Sequence, residues 1–345
     1  MVNKREYNMD VLRILACFMV VVLHTSAQNW DTVSFTSFEW KAFNFYNAMV
    51  RSAVPIFFMI SGKLFLSRET LSIKNLFLKN WLKLALVYLL WSVLYAVDRI
   101  GLAAMFNDFR FYEFASVVVS SKYHLWYLPE LLSVYLMIPV LFALKNRKDE
   151  TILSYVCLMI FLFIIVRTSI LTFVQHELVT VLFRKVSFGW GSCCGYFILG
   201  YVLERNQERF QRIKTPMLIG LFTLLGVGTA VGAYLYSAAK GVASAELYND
   251  IFLSNYFEAV VLFLLFLRLP AEKISQPMKK AVQKLSKYTF FVYLIHPFVL
   301  EHLPIHTLSF HPWLSVPVIA AVVFTLSMCA AWVIDRIPGV RKIFL

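Results

Sequence analysis

Residues 10–26 read DVLRILACFMVVVLHTS. The stretch is mostly Val, Leu, Ile, Phe and Met, long enough for a membrane helix, yet it carries Asp10, Arg13 and His24. Arg13 and His24 stand eleven positions apart. On an α-helix that separation is about three turns plus roughly 20°, with a rise of about 16 Å. One helix face therefore presents Arg13 near one membrane surface and His24 toward the other. Polar groups at membrane depth are costly, and they usually mark function.

The rest of the chain repeats the apolar pattern. Its 345 residues are 60% hydrophobic and 17% aromatic, with mean hydropathy +0.69. Successive apolar runs of this length read as a polytopic membrane protein. We expect an all-α transmembrane helix bundle forming a single domain over 1–345. Ten spans are predicted: 9–26, 47–66, 81–98, 125–144, 151–173, 187–203, 216–237, 251–267, 287–303 and 313–334. The connections are short, and none is a linker rich in Gly, Pro or Ser. A cleaved leader fits the N-terminus poorly, because Arg13 and His24 interrupt or border the apolar core and no A-x-A site follows. It reads as a retained first span.

Charge sets the orientation. The net charge is +13, but the basic residues sit in short connections and not in a basic domain interleaved with aromatics, so nucleic-acid binding is not indicated. Of 33 Lys and Arg, 22 fall beside the termini and even-numbered connections, eight on the opposite side, and Arg13, Lys63 and Arg167 within spans. The positive-inside rule then places both termini of a multi-pass protein in the cytoplasm. The five cysteines all lie in apolar runs, with no zinc or disulfide spacing, and are expected mostly as buried thiols.

Orientation turns sequence positions into depths. The first span runs outward, putting Arg13 near the inner surface and His24 near the outer end. The fourth begins YHLWYLPE at 123–130 and runs inward, with His124 at the outer boundary and Glu130 about 9 Å deeper. The ninth contains LSKYTFFVYLIHP at 285–297, which carries His296 in the outer half and Tyr293 one turn below. Arg13, Lys63, Lys79 and Lys83 gather on the inner side. Each also has a plainer reading. A histidine at a span end is often interfacial, Arg13 can snorkel to headgroups, and Lys79 and Lys83 fit ordinary positive-inside charges. Glu130 and Glu258 need partners, because a carboxylate within a span does. His302, His306 and His311 read as loop residues, not a metal site. GVGTAVG at 226–232 lacks dinucleotide-loop spacing and suits close helix packing.

The chemistry that fits this layout joins two reactants from opposite sides. Cations at an inner mouth suit a phosphate-rich donor, and a neutral outer histidine suits a general base on a hydroxyl. Glu130 is a candidate to orient that imidazole. Acyl transfer from coenzyme A to an external hydroxyl has this shape.

Several motifs also resemble the acyltransferase-3 family of integral-membrane O-acyltransferases: the Arg13–His24 spacing, VPIFFMISGKLF at 54–65, YHLWYL at 123–128, GYFILGYVLERN at 195–206 and the 285–297 segment. The resemblance covers nearly the whole chain. It implies acetyl-CoA as donor on the cytoplasmic side, no metal, and a glycan or lipid-linked saccharide acceptor outside, with Arg13 and His24 as the essential pair. The expected site has His24, Glu130 and His296 in catalysis, Arg13, Lys79 and Lys83 at the donor, and His124, Tyr293 and Trp126 at the substrate. One departure stands out. The family's Arg-x-x-Arg pair before the third span is matched here by Asn80-Trp81-Leu82-Lys83, which loses a bidentate guanidinium. A second function is also open. YHLWYLP and VPIFFMISG look like the membrane module attached to serine racemases, and Arg13 with Glu130 would suit a transported zwitterion such as serine. Trp30, Trp40, Trp126 and Trp190 near the outer side are candidates to stack on sugars, or else form the interfacial belt.

Overall fold

The computed structural model describes residues 6–101, 110–146, 151–174, 191–270, 275–339 and 341. Trp190, Asp108 and the first positions of the predicted 187–203 span lie outside them. The described chain is predominantly helical, with no strand among the described residues. Its main helices are α1 (Tyr7–Ala27), α2 (Phe38–Met49), α3 (Ala53–Leu66), α4 (Ile73–Ile100), α5 (Phe111–Ser120), α6 (Tyr123–Lys145), α7 (Thr151–Phe173), α8 (Ser192–Arg205), α9 (Thr215–Lys240), α10 (Leu253–Leu267), α11 (Gln276–His302) and α12 (Pro312–Ile334).

Eight stretches among the described residues are long and apolar enough to cross a membrane. They coincide with eight of the ten predicted spans. The other two are helices as well, but α8 has 14 described residues and the first turns of α11 carry Lys279, Lys280 and Lys284. The predicted 47–66 span begins earlier and is broken. Helix α2 stops at Met49 and α3 restarts at Ala53, with Pro55 in its first turn, where a missing N–H costs nothing.

Helix α1 packs against α2, α3, α10, α11 and α12, so the opening stretch is interior to the bundle. Leucines and valines such as Leu86, Leu94, Leu224, Leu235 and Val322 remain exposed on outer faces, as a lipid-facing surface requires. The closest crossing joins α3 to α8. A Cβ placed on Gly62 would lie 1.6 Å from the Phe197 carbonyl oxygen, and one on Gly200 would lie 2.0 Å from that of Met59. The backbones meet because both residues lack a side chain, the way small residues bring membrane helices together. Within 226–232, Gly226 packs against Met49 and Gly232 against Leu247, while Gly228 faces open space.

Contacts sort the charged residues by end. At one end Ser286 donates to Asp10 at 2.7 Å, Lys287 to Asp335 at 2.5 Å, and Lys63 pairs with Glu6 and with Glu204, the latter at 2.8 Å. At the other end Lys122 pairs with Glu301 at 2.6 Å and Tyr293 donates to the His124 carbonyl at 2.7 Å. The start of α1, the start of α11 and the end of α12 thus share the basic end. All five cysteines are free: Cys17, Cys193 and Cys194 buried, Cys157 half-buried and Cys329 exposed on α12.

Candidate active site

A cavity of about 420 Å³ runs along α1 through the bundle. At the basic end it is lined by Arg13, Lys79, Lys83 and Lys287, and at the other end by His24, His124 and Trp126. Its middle is apolar and hydroxylic, with Phe57 and Ser61 from α3 and Tyr127, Tyr135 and Tyr293 among the wall residues. Arg13 and His24, eleven positions apart on one helix, therefore open into the same space.

Each helix supplies its lining by periodicity. On α6 His124, Tyr127, Leu131 and Tyr135, spaced three to four apart, form one face, and Trp126 lines the cavity beside them. Glu130 is off that stripe, about 100° round the helix from Leu131. Its carboxylate instead stands 3.8 Å from where a Cβ on Gly191 would be, and beside Cys193. It does not line the cavity, so the expectation that Glu130 orients the imidazole finds no support in its position. On α4 a π-type turn over Leu76–Trp81 leads into the regular helix, and Lys79, Asn80, Lys83 and Leu84 all face the cavity. Such turns are frequent at functional sites. Lys63, by contrast, turns away from the cavity into its two carboxylates.

Three histidines meet at the end opposite the basic one. The His24 ring lies 5.3 Å from that of His296 and 6.5 Å from that of His124, and His124 lies 5.5 Å from His296. Tyr123 closes against His24 at 5.0 Å. His296 is fully buried and does not itself line the cavity. Its Nδ1 is 3.1 Å from the Val292 carbonyl and 2.9 Å from that of Tyr293. Carbonyl oxygens only accept, so Nδ1 carries the proton, and in the neutral ring Nε2 is left as an acceptor. His296 thus fills the place at which Glu130 was expected, as the polar neighbour of the His24 imidazole. Among the described residues no group of three or more His, Cys, Asp or Glu is arranged to hold a metal ion.

Of the expected site residues, His24, Arg13, Lys79, Lys83, His124, Tyr293 and Trp126 line one cavity, His296 backs it, and Glu130 lies apart. Sequence reasoning did not pick out Tyr127, Tyr135, Ser61 or Lys287. The α6 stripe was legible as a three-four spacing of aromatic and polar residues. Lys287 stands directly before Tyr288 in the 285–297 segment. Here it lines the mouth and is held by Asp335, whose carboxyl the lysine keeps below the usual carboxylate range.

A family model described as an acyltransferase domain matches residues 6–336. The chain belongs to the acyltransferase-3 family. Similar curated proteins include the probable poly-beta-1,6-N-acetyl-D-glucosamine export proteins of Staphylococcus aureus strains MRSA252, MSSA476 and MW2. Each is 21% identical over 338 residues, covering 95% of this chain and 91% of the relative. No solved structure matches. As a member of this family, the protein is a multi-pass membrane acyltransferase; the names of those relatives refer to export of a polysaccharide.

Proposed function

We propose that this protein transfers an acetyl group from cytoplasmic acetyl-CoA to a hydroxyl of an extracytoplasmic glycan or lipid-linked saccharide, across a bacterial inner membrane. The observation that carries the reading is the single cavity that joins a cationic mouth to a histidine cluster. Arg13, Lys79 and Lys83 suit the phosphates of the donor, and the half-apolar passage suits a pantetheine arm reaching inward. His24 acts as general base. The acceptor hydroxyl gives it a proton as its oxygen attacks the thioester carbon. The C–S bond breaks, and the departing thiolate takes the proton from His24. His296, with its proton on Nδ1 directed to carbonyls, holds the His24 ring in place.

The test is thiol release and acetyl transfer by the purified protein. Acetyl-CoA turnover that disappears in His24→Ala, while Arg13→Ala raises the donor KM, is the expected result. A protein that neither binds nor turns over acetyl-CoA with a glycan acceptor sinks the reading.

Export is the second reading, favoured by the printed names of the Staphylococcus relatives; it extends the transporter alternative from a small zwitterion to a glycan. Proteoliposomes that move labelled N-acetylglucosamine oligosaccharide, or serine, with no acyl donor present support transport over transfer.

A further inference from the structure

A second pocket, of about 540 Å³, opens at the histidine end of the bundle. It shares no lining residue with the donor cavity. The two linings nevertheless meet at rings. Tyr123 and Tyr95 line the pocket, and they lie ring to ring against His24 and His124, which line the cavity. Tyr123 is 5.0 Å from His24, and Tyr95 is 5.2 Å from His124.

The pocket's chemistry differs from that of the cavity. Ser92, Ser120 and Ser121 supply hydroxyls, and Lys122 and Glu301 supply both signs of charge in one pair. Arg99 stands at the exposed edge. A cleft with mixed hydroxyls, a neutralised ion pair and two tyrosine faces matches an uncharged polyhydroxyl ligand better than an anion or an acyl chain. The backbone is also strained there. Ser121 has φ 58° and is the one non-glycine residue with positive φ among the described residues. Such a conformation is costly for a residue with a side chain and tends to collect at functional sites. It turns the Ser121 hydroxyl to within 3.0 Å of that of Ser92.

We propose that this pocket is the acceptor subsite, seating a neutral sugar residue with one hydroxyl directed past Tyr123 to His24. The assignment rests on the acyl-transfer reading for its chemistry but not for its binding. Tyr123 is then a positioning residue and a partition. It keeps outer water from the thioester until a sugar hydroxyl takes its place.

The full-length protein in detergent is titrated calorimetrically with an N-acetylglucosamine tetrasaccharide, without acyl donor. Ser120→Trp, which fills the rim of the pocket from an exposed helix end, is expected to weaken binding at least tenfold. Glu301→Gln, a change of charge without change of shape, is expected to weaken it several-fold, and Thr223→Trp on the exposed face of α9 to leave it at the parent value. A thermal midpoint matching the parent's checks that each variant is folded. Equal affinity in parent, Ser120→Trp and Glu301→Gln overturns the proposal, as does a parent that binds no saccharide. In the transfer assay Tyr123→Ala is expected to raise thiol release relative to sugar acetylation, and an unchanged ratio removes the partition role. Should the parent bind saccharide but release no thiol from acetyl-CoA, the subsite stands and the donor reading fails.

Discussion

Gly62 offers the sharpest test of how the bundle holds its cavity open. In Gly62→Ala the new Cβ would sit 1.6 Å from the Phe197 carbonyl oxygen, 2.5 Å from its carbon and 2.9 Å from its Cα. None of these atoms belongs to a side chain that can rotate aside. Ordinary contact needs about 3.5 Å, so α3 and α8 must part locally by about 2 Å. Overpacking at a rigid crossing costs about 3 kcal/mol or somewhat more. For a chain of this size the apparent thermal midpoint in detergent should drop by roughly 4 °C. Function should suffer too, because Phe57 and Ser61 on the same helix line the cavity. Gly200→Ala, whose Cβ would meet the Met59 carbonyl at 2.0 Å, is expected to do the same. The double variant should cost less than the sum, since one separation of the helices accommodates both. The control is Gly228→Ala on α9, where nothing lies within 4 Å. There, alanine should hold or slightly raise the midpoint. A Gly62→Ala protein that keeps the parent's midpoint and activity refutes the close-crossing argument.

Four further outcomes follow from the site. Lys83→Gln and Lys79→Gln, which remove cations from the donor mouth, should each raise the acetyl-CoA KM about tenfold with kcat little changed, as fits one charge-assisted contact; steady-state kinetics reads this directly. Glu130→Gln should leave acetyl transfer within a factor of about two, because the carboxylate lies beside Gly191 and outside the cavity; a hundredfold loss in kcat would restore its catalytic assignment. His296→Asn should lower kcat more than it changes the donor KM, since the ring touches His24 and not the donor mouth; the reverse pattern argues against a positioning role. Asp335 carries the pH dependence. Lys287 keeps its carboxyl below the ordinary range, so its stabilisation is present above the unfolded carboxylate value of about 3.9 and is lost as pH falls through the folded one. Thermal midpoints between pH 6 and about pH 3 should decline more in the parent than in Asp335→Asn.

The positions of the helices and the two ends of the site were written in local patterns. Apolar runs gave the spans, because lipid accepts only backbone that bonds within itself. The eleven-residue spacing of Arg13 and His24 already required one face, since helical phase is a local property. The sorting of Lys and Arg by side anticipated which residues share the basic end.

Three things depended on packing between distant segments. The phase of α6 decided that His124 and Tyr127 face the cavity and Glu130 does not; a 3₁₀ turn at Tyr123–Trp126 opens that helix, and depth from the surface says nothing of rotation about the axis. The contact of His296 with His24 joins residues 272 positions apart on different helices, which no local pattern encodes. The glycines of VPIFFMISGKLF and GYFILGYVLERN lie in segments legible one at a time. That Gly62 and Gly200 answer one another across a single crossing became visible only when α3 met α8. Sequence determined which residues could afford to be polar within a membrane. Tertiary structure decided which of them share a cavity, because direction around a helix is fixed only by the neighbours it packs against.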